Sequence, residues 1–197
     1  MARVSESQKV VQKFNNCGGG VQFWFEHVPE IIAKLDNSGI ALAYCFQQIE
    51  SGHRRALYAG LLRKYRLDPA KTWEQIDAHY MHISDFQKFY AAASLSPLMQ
   101  DTFALLFNAT KVRNKVTHGQ EVGQVEKWKA VLDCLQYADD FNNQNQKNSG
   151  FDVFGRLQGV TSSNATTMTP EVTELVLKGL GFETLPMKPK LSPARRP

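Results

Sequence analysis

Residues 123–141, GQVEKWKAVLDCLQYADDF, decide the fold class of this 197-residue chain. Val125, Trp128, Val131, Leu132, Leu135 and Tyr137 recur at roughly i, i+3, i+4, i+7, the spacing that lays apolar side chains along one face of an α-helix. The same period runs upstream. Ser96-Pro97 restarts the chain into Leu98 to about Val116, with Leu98, Met99, Phe103, Leu105, Leu106, Phe107 and Val112 as its apolar members. Two shorter helices precede it, Pro69 to about Met81 and Ser84 to about Ser94, the first introduced by an Asp68 N-cap and a first-turn proline.

Further outward, Ile40 to Leu67 forms a long pattern through Leu42, Tyr44, Cys45, Phe46, Ile49, Leu57, Leu61 and Leu62, with a loosening expected at Ser51-Gly52. Val21 to Asp36 reads as one aromatic-rich segment. Its core candidates are Phe23, Trp24, Val28, Ile31, Ile32 and Leu35, and Pro29 marks a kink or a late start. Ser5 to Phe14 is a short opening helix, closed by Asn15-Asn16-Cys17-Gly18-Gly19-Gly20. That glycine triplet lacks the Gly-Lys-Ser/Thr ending and the preceding strand of a phosphate loop, so it reads as a connector.

Downstream, Asn142 to Asn148 is rich in asparagine and glutamine and reads as a fraying end. A linker follows over 146–169, with a small docking patch at Phe151, Val153 and Phe154. Residues 170–182 hold a short helix with a Thr169 cap and apolar Val172, Leu175, Val176 and Leu180. It is too short to fold alone and must pack on the bundle, a second subunit or a partner. Residues 183–197 are basic and proline-rich, hence expected to be disordered. The expected plan is therefore all-α: an N-terminal helix and connector over 1–20, a helical bundle over 21–145, then linker, short helix and tail.

A hydrophobic content of 43% suits one core with appendages. The formal charge of +4 permits a polyanionic partner without demanding one. Through Gly150 there are 17 Lys and Arg against 15 Asp and Glu, so attraction to RNA needs local clustering, as in Arg54-Arg55, Arg63-Lys64-Tyr65-Arg66 and Lys111 to Lys115. Cys17, Cys45 and Cys134 are scattered and unpaired by any Cys-x-x-Cys spacing, which indicates neither a disulfide framework nor a zinc site and fits a reducing cytoplasm. The opening residues lack the apolar stretch of a signal peptide, and no run approaches the length of a membrane span.

The chemistry concentrates in Val112-Arg113-Asn114-Lys115-Val116-Thr117-His118-Gly119. A guanidinium is a permanent forked donor that fits two phosphate oxygens, and an imidazole near neutrality can accept a proton from one oxygen and return it to another. No metal or cofactor is needed. At about 100° per residue, Asn114 and His118 share a helical face while Arg113 and His118 diverge by about 140°. Either the backbone loosens around Val116 to Gly119, or a second subunit supplies part of the site. The bland alternative is a basic helix end, because Lys111, Arg113, Lys115 and His118 all suit the negative pole of a helix C-terminus.

The stretch resembles the Arg-x4-6-His signature, in its Arg-Asn-x-x-x-His form, of HEPN-domain ribonucleases, helical RNA-cutting domains of toxin–antitoxin and phage-defence systems. The resemblance covers roughly residues 21–145 and implies a HEPN-like bundle, a homodimer with a composite active site, and RNA as substrate. It casts Arg113, Asn114 and His118 as catalytic, with Lys111, Lys115 and Thr117 on RNA. His118 would act as general acid or base, Arg113 would hold the phosphate, and Asn114 would orient His118. The expected reaction is metal-independent attack of a 2′-hydroxyl on the adjacent phosphorus, leaving a 2′,3′-cyclic phosphate. In a related subgroup a tyrosine stands two residues after the histidine as a target of adenylylation; here that position is Gln120. Any antitoxin or regulator would be a separate protein or the chain's own C-terminal part. The competing expectation is a non-catalytic helical module that binds RNA or a partner.

Overall fold

A computed structural model describes residues 5–79, 81–94, 96–155 and 166–182. Among the described residues there are nine helices and no strand: α1 (Glu6–Asn15), α2 (Gly19–Trp24), α3 (Val28–Leu35), α4 (Ser38–Tyr65), α5 (Pro69–Ala78), α6 (Ile83–Ser94), α7 (Gln100–Thr117), α8 (Gln124–Ser149) and α9 (Pro170–Gly179). The chain is all-α. No described helix is long and apolar enough to cross a membrane. The expected basic tail, residues 183–197, lies outside the described residues, as do 156–165 of the expected linker.

Two long helices carry the molecule. α8 packs against α7, α4, α1, α2 and α6, and α4 packs in turn against α6, α5 and α3. Between them lies an aromatic core in which Phe25, Phe86, Tyr90, Tyr137, Phe141 and Phe154 are fully buried. α4 and α7 both lean on α8 but touch each other little. A groove is left between them.

Local chemistry sets many boundaries. Ser5 accepts from the Gln8 amide while the Gln8 side chain accepts from the Ser5 amide, a reciprocal capping box. Asn37 accepts from the amides of Gly39 and Ile40, Asp68 from Lys71, and Thr169 from Val172. Each cap satisfies a donor that the first helical turn would otherwise leave unpaired.

Several expectations are overturned. The Gly18-Gly19-Gly20 connector is the start of α2, with Gly18 at the N-cap. The single segment Val21–Asp36 is two helices, although Pro29, in the first turn of the second, does mark the late start expected of it. Phe23 and Leu35, expected in the core, are 65% and 55% exposed, while the adjacent Phe25 is buried. No loosening occurs at Ser51-Gly52. α4 runs through it, and the missing side chain of Gly52 makes room for the Phe154 ring, which a β-carbon there would overlap.

The largest correction concerns the C-terminal part. Asn142–Asn148 does not fray but extends α8 to Ser149, with Asn142, Gln144 and Asn145 buried. Each amide serves a neighbouring backbone that has no helical partner. Asn142 Oδ1 accepts from the Val153 N–H, Asn145 Nδ2 donates to Phe151 O, and Gln144 both accepts from Met99 N–H and donates to Pro97 O. Polar composition here satisfies buried backbone groups rather than meeting solvent. The patch at Phe151, Val153 and Phe154 docks as expected and is buried, and Arg55 clamps it by donating to Val153 O and Gly155 O. α9 packs on α5. Its buried face is Thr173 and Leu177, whereas Val172 and Leu175 are exposed. Thr173 Oγ1 accepts from Asp68 N–H at 2.8 Å, and Phe182 stacks on Phe89.

Candidate functional site

α7 remains helical through Thr117 and then ends abruptly. Gln120 N–H donates to Lys115 O and Gly119 N–H to Val116 O, with Gly119 at φ 69°. This paired closure is a Schellman motif, which calls for a left-handed residue that glycine adopts without a β-carbon clash. The backbone therefore does not loosen ahead of His118 to swing it toward Arg113.

Arg113 is half-buried and faces α4. Its Nη2 lies 3.7 Å from Glu50 Oε1, and its Cζ sits 5.4 Å from the Phe46 ring centroid. The Arg113–Glu50 pair spans the α4–α7 groove and divides it into two hollows. The larger, about 420 Å³, is walled by α4, α7 and the link into α6, and holds Arg54, Asn114, Ser84 and the rings of Phe46, Phe103 and Phe107. The smaller, about 270 Å³, runs from Gly39 and Gln47 to Val116 and Thr117. Both share Phe46, Glu50 and Arg113.

His118 lines neither hollow. It is the exposed C-cap of α7, and its N–H donates to Asn114 O. Within one subunit the motif's arginine and histidine are thus directed apart, as the helical angle requires. Asn114 is exposed and opens into the larger hollow. Thr117 Oγ1 donates to Arg113 O at 2.9 Å, Lys115 Nζ is 3.1 Å from Glu126 Oε1, and Lys111 Nζ stands 4.5 Å over the Phe107 ring at the rim.

No family model, curated protein or solved structure matches this chain.

The larger hollow adds Glu50, His53 and the exposed ring of Phe107 to the residues read from the motif, together with Arg54, which the sequence singled out only as part of the basic pair Arg54-Arg55. His53 is buried with its ring stacked on Phe86 at 3.6 Å and Nε2 2.6 Å from the Tyr137 hydroxyl. Burial, assisted by the neighbouring Arg54 charge, pushes its pKa down to about 3, so it enters the hollow as a neutral group. Burial likewise drives the Tyr137 hydroxyl well above its ordinary value. Arg54 is half-buried, and its Nε is buried with no hydrogen-bond partner. Phe46, Glu50 and Arg54 recur every four residues on α4, as do Phe103 and Phe107 on α7. That signal was present in the sequence, but nothing local says which two helices face each other.

His79 is the C-cap of α5, and His82 lies in the link before α6. The three tryptophans line neither hollow. Trp128 is buried, Trp24 carries the Arg55 guanidinium at 4.5 Å, and Trp73 packs edge-on against Tyr58. All three cysteines are free and buried.

Proposed function

We propose that the chain is a HEPN-like, metal-independent endoribonuclease acting as a toxin or defence effector, with its chemistry at the C-terminal end of α7. The observation that carries this reading is that Arg113 and Asn114 open on a groove that also holds Arg54, while His118 stands exposed one turn beyond. Two guanidiniums in a partly apolar groove suit a phosphodiester. An exposed imidazole is free to reach a substrate.

The 2′-hydroxyl oxygen attacks phosphorus, and its proton passes to one imidazole. The P–O5′ bond breaks, and O5′ takes a proton from a second imidazole. The products are a 2′,3′-cyclic phosphate and a 5′-hydroxyl, with no water consumed. Arg113 offsets charge on the non-bridging oxygens. Because Arg113 and His118 diverge within one subunit, the two histidines and two arginines act across a homodimer. DNA, lacking the 2′-hydroxyl, is not cut. Restraint of such an activity falls to a separate antitoxin or regulatory protein.

A second reading has its own observation. Arg113 already has partners in Glu50 and Phe46, as a structural arginine would. On that basis the chain is a non-catalytic RNA-binding module.

Incubating wild-type and His118→Ala protein with total cellular RNA in EDTA, then mapping the ends, separates the two. Discrete His118-dependent cuts with cyclic-phosphate ends support the nuclease. Identical behaviour of the two proteins removes catalysis and leaves the binder.

A further inference from the structure

The larger hollow is more than a by-product of the motif, because most of its wall lies away from Arg113 and His118. Arg54 projects from α4 one helical turn beyond Glu50, about 6 Å along the axis. Among the described residues no carboxylate pairs with it, and its Nε is both buried and without an acceptor. A buried donor with no partner is costly unless an acceptor arrives. Lining the same hollow, Phe103 and Phe107 lie near-parallel at 6.3 Å between centroids, and Phe107 is 48% exposed. Ring, unpaired cation and a space of about 420 Å³ together match a ligand with a planar body and an adjacent anion.

We infer that this hollow receives one unstacked nucleotide of a single-stranded RNA, with its phosphate on Arg54 and its base against the Phe103–Phe107 wall. The inference deepens the proposed function and rests on its RNA-directed part. It names the substrate as unpaired RNA, because a base held in a helix cannot leave its stack to enter the hollow without unpairing. Stacking on aromatic side chains tolerates any base, and the neutral His53 adds no charge that would choose among them. The strand then runs past the Arg113–Glu50 divide toward Thr117, which brings the next phosphate to the motif. Lys111, standing over Phe107 at the rim, adds a cation where the backbone enters.

The test uses the full chain carrying His118→Ala, so that bound RNA persists, and measures fluorescence anisotropy of a labelled ten-nucleotide single strand and of its blunt duplex in EDTA. The expected result is at least tenfold tighter binding of the single strand. Arg54→Met and Phe107→Ser should each erase that preference by weakening single-strand binding at least tenfold. Arg54→Met removes an unpartnered donor and should melt no lower than the parent, which guards against misfolding. Equal affinity for strand and duplex, or single-strand affinity unaffected by Arg54→Met, overturns the inference. Wild-type protein still cutting RNA in a His118-dependent way under that outcome keeps the nuclease and discards only the hollow. Arg54-dependent single-strand binding without any cleavage upholds the hollow and discards the nuclease.

Discussion

Arg113 and Glu50 face each other across the α4–α7 groove, Nη2 to Oε1 at 3.7 Å, and their side chains are 40% and 51% exposed. Such a pair contributes little to folding, at most about 1 kcal/mol, because solvent screens it. Its larger consequence is that Glu50 occupies the guanidinium that a phosphate would need.

Glu50→Gln should therefore leave the midpoint of urea unfolding shifted by less than about 1 kcal/mol equivalent. The same change should tighten binding of single-stranded RNA. It should also steepen the dependence of log affinity on log salt by about 0.7, the increment for one further phosphate contact on a single strand. Weaker binding would mean that Glu50 positions Arg113 rather than competes for it.

The end of α7 offers a separate check on geometry. Gly119 holds φ 69° with open space around its α-carbon, so Gly119→Ala pays only the backbone penalty, about 1–2 kcal/mol, by chemical denaturation. His118→Ala, at an exposed cap with no side-chain hydrogen bond among the described residues, should shift stability by about 0.5 kcal/mol or less while abolishing the proposed cleavage. A large loss of stability in His118→Ala would assign that residue a structural role.

The contact between Gly52 and Phe154 should be sensitive in both directions. Gly52→Ala forces a β-carbon into the ring and should destabilise by about 1–3 kcal/mol. Phe154→Ala empties a fully buried site and should cost about 3–5 kcal/mol. Limited proteolysis around residue 155 should quicken in both variants, because the segment after α8 is held by Phe154 and by the Arg55 clamp.

His53 predicts an acid limb of the stability curve. Unfolded, its imidazole takes a proton near pH 6.5; folded, it resists until about pH 3. The unfolded state therefore binds more protons throughout that window, and the stability present above pH 6.5 is lost as pH falls toward 3. The slope approaches about 1.4 kcal/mol per pH unit for one such group. Urea midpoints measured between pH 7 and pH 4.5 should fall accordingly, and the fall should be shallower in His53→Phe. Equal slopes in the two proteins would remove His53 as the cause.

Periodicity and caps in the sequence determined the helical class, the start of α5 at Asp68-Pro69, the Thr169 cap of α9, and the burial of Phe151, Val153 and Phe154. These are local properties: a helix face is written in i, i+3, i+4 spacing, and a cap in one side chain. Only the tertiary structure decided that Asn142, Gln144 and Asn145 are buried, since their amides are satisfied by backbone from other segments. Only it decided that α4 and α7 leave a groove, that Glu50 bridges it to Arg113, and that Arg54 and Phe107 line one hollow, with the Arg54 Nε unpartnered among the described residues. Which helices become neighbours depends on how all the apolar faces are buried at once, and no window of sequence contains that sum.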